Sequence, residues 1–171
     1  MITNDRDLNS YVIQYFKEKH IDITELAETV VELQKDYIDG LTVEDCEMAI
    51  NQVLKKREVL YAMATGINLD KLAKSHKLDY PVQNAIVNDY GLYGVDETIA
   101  LSMTKPYGSI AITNYGYLDK VKFKTAKRLD EMQREHRGKV VNTFLDDIVS
   151  AIIADASALI AHNEDEFTGE E

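Results

Sequence analysis

A chain of 171 residues, 45% apolar and 29% charged, can bury a core as a single domain, which excludes a disordered or low-complexity polypeptide. Its formal net charge of −11 argues against nucleic acid, whose phosphates need a basic surface, and against purely electrostatic adhesion to anionic lipid. A single cysteine, Cys46, rules out an internal disulfide and fits a reducing cytoplasm.

With only 2 Pro and 8 Gly and little β-branched alternation, the expected fold is all-α, one domain over residues 1–171 built as a bundle of roughly seven to nine helices. Met1–Asp7 is polar and mixed in charge, with no apolar segment of a signal peptide behind it. No uninterrupted apolar run reaches the roughly 18 residues of a membrane span.

Leu8, Tyr11, Val12, Tyr15 and Phe16 recur at the spacing of one helix face, with Asn4 as N-cap. A second helix, capped by Thr24, carries Leu26, Val30, Leu33 and Tyr37 and stops at Asp39-Gly40. Thr42-Val43-Glu44-Asp45 opens a third with an acidic first turn. Its apolar face runs through Cys46, Ala49, Ile50, Val53, Leu54, Leu60 and Tyr61 to Ala64, and Gly66 breaks it. By spacing, Cys46 is a core residue. Arg57 takes an apolar slot on that face, either as a stem covering the core or as an inward ligand for phosphate.

Asn68–His76 and Val82–Asp89 read as short helices flanking a turn at Asp79-Tyr80-Pro81. Gly91 and Gly94 make a loop, and Asp96-Glu97 opens the next helix, ending near Thr104. Pro106 fits the first residue of another helix, ending near Asn114. Ser102, Ser109 and Thr113 lie there among small apolar residues suited to tight packing. Asn114–Lys122 is a second glycine-containing junction, Lys124–His136 a charged, exposed helix, and Arg137-Gly138-Lys139 a basic turn. The last helix lies in Asn142–His162 and is apolar apart from Asp146-Asp147 near its start and Asp155. Residues 163–171 form an acidic tail.

Acids gather at the junctions: Asp89, Asp96, Glu97, Asp119, Asp146 and Asp147. A buried, unpaired carboxylate is costly. Asp146 and Asp147 are therefore expected near the positive end of a helix dipole, sharing a cation with acids from other junctions. The plainer alternative is an acidic first turn without a cation. Mg²⁺, with Mn²⁺ as a substitute, takes several carboxylate oxygens and leaves places for water and phosphate. Neighbouring acids on a helix diverge by about 100°, so Asp146 and Asp147 are expected to divide the work. Lys122 and Lys139 are candidate phosphate contacts, with Arg57 as a third. His20, His76, His136 and His162 form no zinc pattern, and neither a P-loop nor a nucleophile elbow is present. Gly91 and Gly94 follow no strand, which excludes a dinucleotide fingerprint.

Asp89-x₆-Asp96-Glu97, Leu118-Asp119-x-x-Lys122 and Asp146-Asp147-Ile148-Val149, in that order, resemble the phosphatidylglycerophosphatase A family. Lys56-Arg57-Glu58-Val59, Gly91-Leu-Tyr-Gly-Val-Asp-Glu97, Tyr107-Gly-Ser-Ile110 and Gly116-Tyr-Leu-Asp-Lys120 resemble its soluble, YutG-like bacterial branch. With that branch the resemblance covers nearly the whole chain; with the broad family it covers roughly the second half. Residues 1–66 are accordingly expected to be branch-specific helices, and 82–162 the family-like core.

The resemblance implies an all-α, Mg²⁺-dependent phosphatase that hydrolyses the phosphomonoester of phosphatidylglycerophosphate in phospholipid biosynthesis, using a carboxylate-held metal and an activated water. It implies Asp89, Asp96, Glu97, Asp146 and Asp147 as metal ligands, Asp96, Asp119 and Asp147 as catalytic acids, and Lys122 on phosphate. Three departures accompany it: no membrane span, no glycine-rich N-terminal motif, and Lys122-Phe123 where the family has Lys-Pro. The expected partners are a phospholipid or glycerophosphate substrate, a transient peripheral contact with the inner face of the membrane from the cytoplasm, and other copies of the chain. The alternative is a non-catalytic, oligomeric metal-binding or scaffold protein related to that family.

Overall fold

Apolar stripes at helical spacing must find partners, and here they find them around one helix. A computed structural model describes residues 5–163. Among these residues are nine α-helices, one 3₁₀ turn and no strand. The helices are α1 (Asp5–Glu18), α2 (Ile23–Gln34), α3 (Val43–Val53), α4 (Arg57–Lys74), α5 (Val82–Val87), α6 (Val95–Thr104), α7 (Gly108–Val121), α8 (Lys124–Glu135) and α9 (Leu145–His162). The 3₁₀ turn, Lys105–Tyr107, joins α6 to α7.

α9 is apolar nearly all round and therefore belongs in the centre. All but Leu159 of its residues from Leu145 to Ile160 are buried, and α2, α3, α4, α6, α7 and α8 pack against it. α1 lies on α4 in the next layer. Cys46 is buried in the core, as its spacing predicts, and burial pushes its thiol up to about 12.

Several local expectations are corrected. The long third helix is two helices, because the chain turns after Val53 and restarts at Arg57. Gly66 does not break a helix but lies inside α4, buried. A Cβ there would stand 2.8 Å from Ile148 Cδ1 and 3.1 Å from Phe144 Cβ, so the glycine serves the close approach of α4 to α9. Arg57, with the register reset by the turn, is an exposed residue in the first turn of α4 rather than a member of an apolar face. Pro106 sits in the 3₁₀ turn, and α7 begins at Gly108 and runs through Gly116 to Val121. Asp119 is thus in the last turn of a helix, not in a junction. Ser102, Ser109 and Thr113 are exposed rather than packed in the core.

The cap of α2 is Asp22, whose carboxylate accepts from Thr24 N at 3.0 Å; Thr24 instead donates its hydroxyl to Glu47. α2 ends at Gln34, leaving Tyr37 81% exposed. α3 carries a reciprocal Thr42–Asp45 capping box at the predicted start. Asn4, and the acidic tail beyond residue 163, lie outside the described residues.

One buried acid sits apart from the junction acids. Asp155, midway along α9, is fully buried, and neither carboxylate oxygen has a hydrogen-bond partner. Burial pushes it up to about 8, with Lys56 opposing. The buried Tyr107 hydroxyl, in the field of Asp155 and Glu58, is also unpartnered, and Lys56 Nζ lies 5.0 Å from the Tyr107 ring centroid. The folded value stands above the ordinary 3.8, so the stability Asp155 contributes is complete below about pH 4 and is lost as pH rises towards 8. Asp155→Asn is therefore expected to melt with the wild type near pH 4 and about 3 °C or more above it at pH 8.5, read by circular dichroism. Identical melting at pH 8.5 would show that the carboxylate is solvated or paired.

Candidate metal and phosphate site

The position of Asp146-Asp147 is set by how α9 begins. Phe144 stands at its N-cap and supplies no side-chain cap. The cap comes from another helix: Asp70, buried on α4, accepts from Phe144 N and Leu145 N at 3.2 Å. Burial pushes Asp70 up to about 8, the Phe144 and Leu145 amides pull it back, Asp146 raises it and Lys19 lowers it.

The residues just upstream are tied as firmly. Asn142 accepts from Lys19 Nζ at 2.5 Å and donates to Leu129 O at 3.0 Å, while its amide donates to Gln133. The Thr143 hydroxyl donates to Ile86 O and accepts from Gln133 Nε2, each at 2.6 Å. The start of α9 is thereby locked to α4, α5 and α8 by these hydrogen bonds.

A polar cavity of about 260 Å³ opens at this locked end. Its acids are Asp89, Asp96, Glu97, Asp119, Asp130, Asp146 and Asp147, its cations Lys122 and Arg134. Asp96-Glu97 lie in the first turn of α6 and Asp146-Asp147 in the first turn of α9, so two helix N-termini meet here. Such ends favour negative charge, on a carboxylate or on a phosphate. Gly94, at φ +65°, provides the left-handed turn that starts α6. Asp89 at φ +50° and Lys122 at φ +49° are non-glycine residues held at positive φ, a cost that the surrounding packing must over-determine.

The adjacent acids of α9 diverge, as helix geometry requires. Asp146 takes Lys122, whose Nζ contacts Asp146 Oδ2 and lies 3.8 Å from Asp119 Oδ1. Asp147 faces Asp96 and Glu97, and one oxygen from each of these three carboxylates lies within 4.8 Å of the other two. Asp96 Oδ1 and Glu97 Oε2 are buried without a hydrogen-bond partner. The Tyr115 hydroxyl of α7 is buried beside them, also unpartnered, in the field of Asp147, Asp119 and Glu97.

Crowding shows in the titration of each group. Burial and then Asp146 push Asp147 up to about 10, with Lys122 opposing. Burial and the Glu97 carboxyl push Asp96 up to about 8. Burial raises Asp146 to about 7, restrained by Lys122. Burial alone would lower Lys122, but Asp146, Asp147 and Asp119 outweigh it and hold the ammonium above its usual range. Without another cation, the cluster meets neutral pH partly protonated. Three convergent carboxylate oxygens, two of them on orphaned buried groups, suit a hard divalent cation, which would displace those protons.

Of the expected site residues, the fold brings Asp89, Asp96, Glu97, Asp119, Lys122, Asp146 and Asp147 to one cavity. Lys139, exposed between α8 and α9, and Arg57 do not line it. Three residues were not expected: Asp130 with its partner Arg134, 3.1 Å apart, and Asp70 beneath the floor. A signal existed for Asp70, which follows Met63 and Ile67 on the buried face of α4. Asp130 and Arg134 have the spacing of an ordinary (i, i+4) ion pair on a charged helix, which gives no local signal of a site.

The family model described as phosphatidylglycerophosphatase A matches residues 21–162. That span begins in the N-terminal helices, upstream of the three acidic motifs. The chain is 47% identical over 146 residues to the uncharacterized protein YutG of Bacillus subtilis, covering 85% of this chain and 86% of that one. It is 42% identical to the uncharacterized protein YpjQ of the same organism, covering 87% and 81%. Among solved structures, the low temperature requirement C protein of Listeria monocytogenes superposes with a TM-score of 0.85 at 46% identity, covering 92% and 96% of the two chains. YpjQ superposes with a TM-score of 0.87 at 37% identity, covering 96% and 99%. By the family match and these relatives, the chain belongs to the phosphatidylglycerophosphatase A family, on its YutG-like branch.

Proposed function

We infer that the protein is a Mg²⁺-dependent phosphomonoesterase acting on phosphatidylglycerophosphate at the cytoplasmic face of the membrane. The observation that carries this is the convergence of Asp96, Glu97 and Asp147 beside Lys122 and Arg134 in one cavity. An oxygen cluster for a divalent cation there adjoins cations for a phosphate.

Asp96, Glu97 and Asp147 would hold the ion; when bound, it supplies Lewis-acid stabilisation of charge on the phosphoryl oxygens. Lys122, fixed by Asp146 and Asp119, and Arg134, fixed by Asp130, bind phosphoryl oxygens. Asp119, half-buried at the edge of the cavity, accepts the proton of an attacking water. The new P–O bond forms from that water while the bond to the glycerol oxygen breaks. The leaving oxygen takes a proton from solvent at the open mouth, and inorganic phosphate is released.

The test is phosphate release from phosphatidylglycerophosphate in detergent micelles, with Mg²⁺ and with chelator, alongside a thermal-shift titration of Mg²⁺ and Mn²⁺. Turnover that needs the ion, together with a melting point that rises as ion is added, supports the reading. A stabilisation of about 2.7 kcal/mol is expected at one hundred times the dissociation constant. A rise in melting point with no turnover on lipid or glycerol phosphate would favour the alternative, a non-catalytic metal-binding module.

A further inference from the structure

The surface around the mouth of the acid cavity departs from the rest of the chain. The six residues Tyr90–Val95, from the loop after α5 to the first residue of α6, carry no charge in a protein of net charge −11. Gly91 of this loop lines the cavity. Tyr93 turns inward, its ring edge-on to Phe144 with centroids 6.1 Å apart, which fixes the loop on the start of α9. That leaves Leu92 outward and wholly exposed, with Tyr90 53% and Val95 40% exposed. The last turns of α7 add Tyr117 and Val121, also exposed, next to the cavity residues Asp119 and Lys122.

Charge around the mouth also differs from the average. Lys120–Val140 supplies Lys122, Asp130 and Arg134 to the cavity and holds eight Lys and Arg against three Asp and Glu, although Lys124 and Arg128 pair with Glu28 and Glu25 of α2. Lys120, Arg134, Arg137 and Lys139 are exposed. Screening confines each charge to about 10 Å, so the exposed cations outside the acid cavity, Lys120, Arg137 and Lys139, weigh more for a nearby surface than the net charge does. An aliphatic tip flanked by tyrosines has the chemistry of a membrane interface, and the neighbouring cations complement anionic head groups. No helix among the described residues is long and apolar enough to cross a membrane, so a lipid head group must be met at the bilayer surface.

We propose that the mouth of the cavity docks on a bilayer containing anionic phospholipid, Leu92 inserting and the basic Lys120–Val140 side contacting head groups. What the docked surface presents to the acids rests on the phosphatase reading; the docking itself is measured without it. Loop and cavity are one unit, since Asp89 and Gly91 at its start and Asp96 and Glu97 just after it all line the site. A phosphomonoester at head-group depth would thus lie opposite the acids while its acyl chains stay in the lipid.

The experiment is flotation of the full chain with vesicles of phosphatidylglycerol and phosphatidylcholine in equal parts, against phosphatidylcholine alone. The wild type is expected to float with the anionic vesicles, less so at high salt. Leu92→Ser is expected to lower the partition coefficient about tenfold, and Lys120→Glu with Arg137→Glu to abolish the preference for anionic vesicles. Leu92 does not line the cavity, so Leu92→Ser should hydrolyse water-soluble glycerol phosphate as the wild type does while losing turnover on lipid in vesicles. Flotation that Leu92→Ser weakens supports docking even if no phosphate is ever released, in which case only the phosphatase reading fails. A wild type that does not float, or a Leu92→Ser protein that floats equally well, overturns the proposal. So does a Leu92→Ser protein whose only change is loss of self-association by light scattering, which would make this face a contact between copies.

Discussion

Asp147→Asn is expected to lower phosphate release by at least about a hundredfold while the protein folds and, in chelator, melts above the wild type. The two effects share one cause. Asp147 is held up to about 10 by burial and by Asp146, so ionising it costs the folded chain free energy unless a cation sits among the acids. The folded value lies above the ordinary 3.8, so the stability it contributes is complete below about pH 4 and falls as pH rises towards 10. An amide removes that cost and also replaces one of the three converging carboxylates with a neutral group. The variant should therefore lose most of the Mg²⁺-dependent rise in melting temperature together with turnover. Steady-state phosphate release and paired melts with Mg²⁺ and with chelator at pH 7.5 measure both. Full activity in Asp147→Asn would remove this residue from the site, and an unchanged Mg²⁺ shift would place the ion elsewhere.

Asp70→Ala is expected to be the most destabilising single change outside the apolar core, by about 3 kcal/mol or more in urea unfolding. Among the described residues, Asp70 supplies the side-chain acceptors for the first amides of α9, Phe144 N and Leu145 N, and both residues are buried. Truncation leaves Phe144 N unsatisfied, leaves Leu145 N with the Asn142 carbonyl alone, and opens a small cavity beside Phe144. Asp70→Asn keeps one carbonyl acceptor and should cost about 1 kcal/mol. Because α9 carries Asp146 and Asp147 directly after these amides, Asp70→Ala should also loosen the Mg²⁺ response, whereas Asp70→Asn should retain it. A wild-type unfolding midpoint for Asp70→Ala would show that water or a shifted backbone replaces the cap.

The sequence by itself determined the helical class, because stripes at 3.6-residue spacing and few breakers leave little choice. It also determined that α9 lies at the centre, since a helix apolar all round has no face for water. The acids at helix starts were legible because a glycine or a turn precedes an acidic first turn, and the family motifs ordered them.

What it misplaced were positions where one side chain answers to another helix. Gly66 looks like a breaker in isolation but is the contact point of α4 with α9. Pro106 and Gly116 did not bound α7, because the 3₁₀ turn absorbs the proline and the glycine faces solvent where it hinders nothing. Arg57 left the core when the turn after Val53 reset the register of α4.

The pairing of acids with cations was decided by the tertiary structure alone. Helix geometry says that Asp146 and Asp147 diverge, but only the packing of α6 and α7 on α9 sends one to Lys122 and the other to Asp96 and Glu97. Periodicity is a property of a single helix and reports which face is buried. Which groups that face meets, and with what charge, depends on neighbours distant in the chain, and no local pattern records them.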